Sequence, residues 1–234
     1  MTREVDPRIV VSPRQAREIL IATTYVGDWA HNRGRLLMPF FACLYFAALR
    51  PEEAVRLRLA DCVLPSDGPG TLWLSGAATR AGREWTDTGS KHDERGLKHR
   101  AQDDVRDVPI PPELVRILQR YLKDFGTADD GRLFRSPRGE ILDSTRYLNV
   151  WHKARELALP PALAASPLAR RPYDLRHAAL STWLNAGVPP AEVARRAGNS
   201  VPVLLQTYAR CIHGEQAAAT QRIIAALGAD PGVL

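Results

Sequence analysis

The chain has only three cysteines, Cys43, Cys62 and Cys211, odd in number and far apart. That excludes a disulfide-stapled scaffold, and no pair has the close spacing of a metal-binding motif. They read as reduced, buried thiols, which makes the cytoplasm the expected location. Long apolar runs are missing as well. The most apolar stretch, Leu36 to Leu49, contains Pro39 and is too short to span a bilayer. The N-terminus, MTREVDPRIVV, is charged and has no signal-peptide apolar core, so neither a membrane nor an export route is expected. The chain shows no cluster of acidic or histidine ligands, so no metal and no cofactor are expected. Internal repeats and low-complexity tracts are also absent.

What is present is a globular composition. The 234 residues are 45% hydrophobic, enough for one large domain, or one domain with a small appendage. The formal net charge is +6, which permits a polyanionic partner and does not by itself require one.

The pattern along the chain predicts a mainly α fold with a small antiparallel β-sheet. Ser12, Pro13 and Gln15 read as a capping box opening a helix to about Ala30. A buried helix is expected over Leu36 to Leu49, and a third has Pro51 in its first turn. Alternation in TLWLSG (71–76) and VRDVPI (105–110) marks two strands. The long, mixed-charge insertion between them reads as a hairpin tip. Helices are then expected over 111–124, 144–158, 174–185, 190–197, 201–211 and 215–227. Residues 158–172, ALPPALAASPLARRP, look like a flexible connector.

The stretch RRPYDLRHAALSTWL (170–184) sets Tyr173, Asp174, Arg176 and His177 at the mouth of a helix. Asp174 is a good N-cap, and free backbone N–H groups there favour an anion. Arg176 would add a bidentate phosphate ligand. The alternative is a cap with surface or salt-bridged arginines, Arg170 and Arg171 among them. Arg50 ends a core segment with Glu53 one turn on, so by itself it reads as half of an ion pair rather than as a ligand. In EVARRAGNSVPVLLQTYARC, Gly198 stops one helix and Ser200 caps the next. Val201, Leu204, Leu205 and Tyr208 share a face there, which makes Tyr208 readable as a core tyrosine.

Taken in this order the stretches resemble the three motifs of the tyrosine recombinases, the phage-type integrases. ALRPEEAVRLRLADC resembles the first arginine motif, with Arg50 and Glu53 at matching places. RRPYDLRHAALSTWLNAGV resembles the second, with Arg176 as the second arginine, and RRAGNSVPVLLQTYARC the third. The resemblance runs from about residue 10 to the end and is closest to integrases of actinobacterial mobile elements. It implies the catalytic-domain fold and metal-free, site-specific recombination of double-stranded DNA by a tetramer. Tyr208 would be the nucleophile, Lys98 in GLKHRAQDDVRDVPIP the hairpin lysine, and Arg170, Arg171, Lys91 and Arg100 the DNA contacts.

Two positions depart from the family pattern. Tyr173 stands where the His-x-x-Arg motif has histidine, and Asn199 follows Gly198 where histidine is usual. Neither carries an imidazolium charge, although both can hydrogen-bond to phosphate. The resemblance makes Asp174 and His177 supporting residues behind the site, with His177 not replacing the missing histidine.

The family's N-terminal core-binding domain has no counterpart. Residues 1–234 are therefore expected to be a catalytic domain alone, from a longer protein or a truncated gene. Residues 213–234 are expected to form a tail helix whose apolar face, with Ala217, Ile223, Ile224 and Leu227, packs on its own domain or on a neighbouring protomer. Two alternatives stand beside this reading: a catalytically degenerate DNA-binding remnant of an integrase, and a regulator whose LNAGVPPAEVARRAGNS mimics a helix-turn-helix. The regulator reading leaves Arg50, Lys98 and Tyr208 unexplained.

Overall fold

The computed structural model describes residues 4–27, 33–74, 77–80, 92–95, 105–136, 138–212 and 216–228. Helix α1, Pro13–Thr23, opens on the expected capping box: Ser12 Oγ accepts from the Gln15 backbone, and Gln15 Oε1 accepts from the Ser12 backbone. It stops well before Ala30, because the chain turns through Gly27 at φ +102° and helix α2 passes close by. A Cβ at Gly34 would lie 1.8 Å from the Thr23 carbonyl oxygen, so only glycine lets the two helices approach.

Helix α2, Arg33–Phe46, is buried on nearly every side and forms the centre of the fold. It ends before Leu49 because Ala48 takes a left-handed backbone, φ +50°, uncommon for a residue with a Cβ. Ala47, Ala48 and Leu49 remain fully buried and deliver Arg50 to the start of α3, Pro51–Arg56.

Three strands follow, β1 Cys62–Val63, β2 Gly70–Leu74 and, beyond the insertion, β5 Arg106–Ile110. They pair antiparallel in the order β1-β2-β5, with Leu72 opposite Val108 and Leu74 opposite Arg106. The period-2 alternation turns Leu72, Leu74, Val108 and Ile110 inward, and Arg106 with them. Within the insertion, β3 Ala77–Arg80 and β4 His92–Arg95 form the expected hairpin.

The rest is helical: α4 Pro112–Phe125, α5 Ser144–Ala158, α6 Pro161–Ala165, α7 Tyr173–Asn185, α8 Pro190–Ala197, α9 Val201–Tyr208 and α10 Gln216–Leu227. A larger core joins α1, α2, α4, α5 and the sheet, and a smaller one joins α7, α8 and α9. The fold class is as expected, mainly α with a small antiparallel sheet.

Several local expectations fail. The 158–172 segment is not a slack connector. It holds α6 and is pinned from within, since Arg155 donates to the carbonyls of Ala164, Ser166 and Leu168. Trp151 Nε1 also donates to the Ala169 carbonyl at 2.8 Å. Leu205 is 39% exposed and leaves the apolar face that Leu204 and Tyr208 keep. Of the thiols, Cys43 and Cys211 are buried but Cys62 is half-buried. Burial still pushes the Cys62 thiol up to about 12, so it stays protonated.

Candidate active site

The site lies where the two cores meet, around a single carboxylate. Glu53 is 1% exposed and sits in the first turn of α3. Its Oε2 accepts from the Arg50 backbone N–H at 2.9 Å, and its Oε1 accepts from Arg50 Nη1 at 2.8 Å. Arg106 donates to Oε2 from the sheet at 3.0 Å, and Arg176 Nη1 stands 4.0 Å from the same oxygen. Burial alone would raise the Glu53 pKa, but Arg106, Arg176 and Arg50 together hold it below the ordinary carboxylate value. Three guanidinium groups thus share one buried anion, and the excess positive charge favours a further anion beside them.

Arg50 and Arg176 are held by backbone carbonyls as well. Arg176 donates to the carbonyl of Ala48, the residue with the left-handed backbone, and at 2.7 Å to that of Ala197. Strain at such a position persists only where its surroundings hold it, and the Arg176 contact is part of that hold. Arg50 Nη2 donates to the Gly198 carbonyl at 3.0 Å and to Asn199 Oδ1 at 2.8 Å. Gly198 is fixed twice over. Its φ of +63° caps α8, and a Cβ there would lie 1.8 Å from Arg106 Nη1.

The mouth of α7 differs from expectation. Asp174 is not the N-cap, since the helix begins at Tyr173 and Asp174 lies inside its first turn. From there its carboxylate reaches back to accept from the Arg171 backbone N–H at 2.8 Å, closing the turn from within. Burial raises the Asp174 pKa, with Arg171 opposing. Arg176 is not aimed at the helix mouth either; it is 1% exposed and crosses to Ala48 and Ala197. Arg170 and Arg171 are exposed beside the site.

Tyr208, at the end of α9, is 2% exposed. Burial raises its phenol well above the usual value, while Arg176 and Arg50 pull it down. His177 Nδ1 is hydrogen-bonded to the Tyr208 hydroxyl at 2.8 Å. His177 is thus a direct hydrogen-bonding partner of Tyr208. The register of α7 decides this, turning His177 toward α9 while Arg176 faces the core. Burial, then Arg176 and Arg171, hold its imidazole down at about 4. Tyr173 packs edge-on to the His177 ring, with centroids 5.0 Å apart.

The structure thus brings together Arg50, Glu53, Arg176, His177, Asn199, Tyr173 and Tyr208. Lys98, Lys91 and Arg100 lie outside the described residues. Sequence reasoning missed Arg106, although a signal was present: in VRDVPI it shares its alternating face with Val108 and Ile110, an inward position where an arginine needs a buried partner. Among the described residues no three His, Cys, Asp or Glu side chains are grouped to hold a metal ion, and no helix is long and apolar enough to cross a membrane.

No protein-family model matches this sequence, and no curated protein does. Solved structures do. The Tn1549 transposon integrase (residues 82–397), in complex with circular intermediate DNA, is 20% identical, with a TM-score of 0.66 over 96% of this chain and 68% of that one. The XerH site-specific recombinase, bound to its difH substrate before cleavage, is 14% identical, with a TM-score of 0.63 over 95% of this chain and 55% of that one. The catalytic domain of bacteriophage HP1 integrase is 16% identical, with a TM-score of 0.51 over 91% and 93%. The fold is therefore that of the tyrosine recombinase catalytic domain. Its structural neighbours are integrases and site-specific recombinases, from a transposon and a phage among other sources.

Proposed function

We propose that this chain is the catalytic part of a site-specific DNA recombinase that integrates or excises a mobile element through a 3′-phosphotyrosyl intermediate. The observation that carries the reading is the buried cluster of Arg50, Arg106 and Arg176 around Glu53, with Tyr208 within its electrostatic reach. Tyr208 attacks a phosphodiester, and the 5′ oxygen leaves as Lys98 protonates it. Negative charge grows on the non-bridging oxygens, and Arg50 and Arg176 neutralise it as fixed donors. Their carbonyl and carboxylate partners hold them in place beforehand, so little reorganisation accompanies the reaction. The bond energy stays in the phosphotyrosine, which a second strand's 5′-hydroxyl can reverse without ATP.

Arg170, Arg171, Lys91 and Arg100 serve as contacts to the DNA backbone, and four protomers assemble on paired attachment sites. The chain acts without a cofactor, in the cytoplasm. A second reading, a DNA-binding remnant that has lost its chemistry, is favoured by Tyr173 and Asn199 at positions where the resemblance expects histidine. Asn199 Oδ1 orients Arg50, which supports retained function.

The test is covalent capture on a pool of nicked suicide duplexes with randomised flanks. An adduct formed by the chain and lost in Tyr208→Phe, with DNA binding kept, supports the recombinase. DNA binding with no adduct from the unaltered chain favours the remnant.

A further inference from the structure

We propose that His177 is the general base that takes the phenolic proton of Tyr208 during strand cleavage. The inference rests on the strand-cleavage reading above. What carries it is contact: Nδ1 of His177 and the Tyr208 hydroxyl are 2.8 Å apart, within reach for direct proton transfer.

Tyr208 needs such a base because burial keeps its phenol protonated. His177 is suited to the task because burial, Arg176 and Arg171 keep its ring neutral at physiological pH. With the ring proton on Nε2, Nδ1 presents a lone pair to the phenol. The groups facing the imidazole are Tyr173, Arg176 and Arg171 from α7 and its approach, and Tyr208 from α9. The Tyr173 ring packs against the imidazole at an interplanar angle of 69°.

The Tyr208 oxygen bonds to phosphorus, its proton passes to His177 Nδ1, and the bond from phosphorus to the 5′ oxygen breaks as that oxygen takes a proton from Lys98. The phenol is a much weaker acid than the imidazolium, so the proton does not move ahead of attack. It moves as the new P–O bond drains charge from the phenol oxygen. On rejoining, the 5′-hydroxyl returns a proton to Lys98 and His177 gives one back to the departing phenolate. An imidazolium beside Arg176 gives up its proton readily, which suits a reaction run in both directions.

The experiment follows single-turnover adduct formation by the full chain on a captured duplex. It compares His177→Ala and His177→Gln on an ordinary substrate and on one with bridging sulfur at the 5′ position. His177→Ala should slow cleavage by about 10²- to 10⁴-fold on both duplexes, because a thiolate leaves without an acid but attack still needs the base. Added imidazole should restore part of that rate. His177→Gln keeps a hydrogen-bonding side chain yet cannot hold the proton, so it should stay slow; it also carries the test if the alanine variant does not fold. DNA binding should be unchanged in both. Wild-type rates in the glutamine variant with no response of the alanine variant to imidazole would overturn the base assignment while leaving the recombinase reading intact. No adduct from the unaltered chain would overturn both.

Discussion

Removing the charge of Glu53 is the sharpest probe of how this site is built. Glu53→Gln keeps the size of the side chain but puts an amide donor among guanidinium donors. Arg50 and Arg106 lose ionic partners at 2.8 and 3.0 Å, and Arg176 loses one at 4.0 Å. Arg106 suffers most. It is 2% exposed, its Nε has no hydrogen-bond partner among the described residues, and burial already lowers its pKa. Breaking a buried ion pair by neutralising one member costs about 3–5 kcal/mol, because the remaining charge is left uncompensated. Against a typical domain stability of about 5–15 kcal/mol, the loss is readily measured by urea unfolding at neutral pH.

The deficit should depend on pH in a defined direction. The folded Glu53 pKa lies below its ordinary value of 4.5, so the carboxylate stabilises the fold above that pH. The contribution is lost as pH falls through the folded pKa. The gap between wild type and Glu53→Gln should therefore close in acid. Sulfate or phosphate should restore part of the lost stability of the variant, by occupying the excess positive charge. A stability change below about 1 kcal/mol, typical of an exposed ion pair, would refute the account of Glu53 as the buried counterion of this cluster.

Other outcomes follow from the same geometry. Arg50→Ala and Arg176→Ala should each slow adduct formation by about 3 kcal/mol of transition-state stabilisation, comparable to losing an oxyanion-hole donor, and EDTA should leave cleavage by the unaltered chain intact. A strict requirement for added Mg²⁺ would contradict the role of the guanidinium groups. Gly198→Ala should impair cleavage and destabilise the fold together, since a Cβ meets Arg106 at 1.8 Å on a left-handed backbone; unchanged melting and cleavage would show that Arg106 moves aside freely. Deleting residues 215–234 should reduce assembly on DNA, read as mass by light scattering, because Ile223, Ile224 and Leu227 are 59%, 49% and 79% exposed on α10. An unchanged mass would assign that face no part in assembly.

Much of the architecture was legible because its causes are local. Ser12 with Gln15 and Ser200 before Val201 cap helices within one turn of themselves, and Pro51 opens α3 as the sequence implied. The spacing of apolar residues gave the strands 70–74 and 106–110 to within a residue or two. The ends of α1 and α2 fall short of what periodicity predicts, because close approach at Gly34 and the left-handed turn at Ala48 stop them, and neither is written in helical periodicity.

The site divides in the same way. Sequence alone determined which side chains are present and which motif positions they hold: Arg50 with Glu53, Arg176, Gly198 with Asn199, and Tyr208. Tertiary structure decided what each one touches. Arg106 meets Glu53 across 53 positions, Arg176 reaches Ala48 across 128, and His177 meets Tyr208 across 31. A side chain's chemistry is fixed by its covalent structure. Its partners are fixed by how the two cores pack, because a buried guanidinium or imidazole must find its hydrogen bonds wherever the fold brings a carbonyl, a carboxylate or a hydroxyl within about 3 Å.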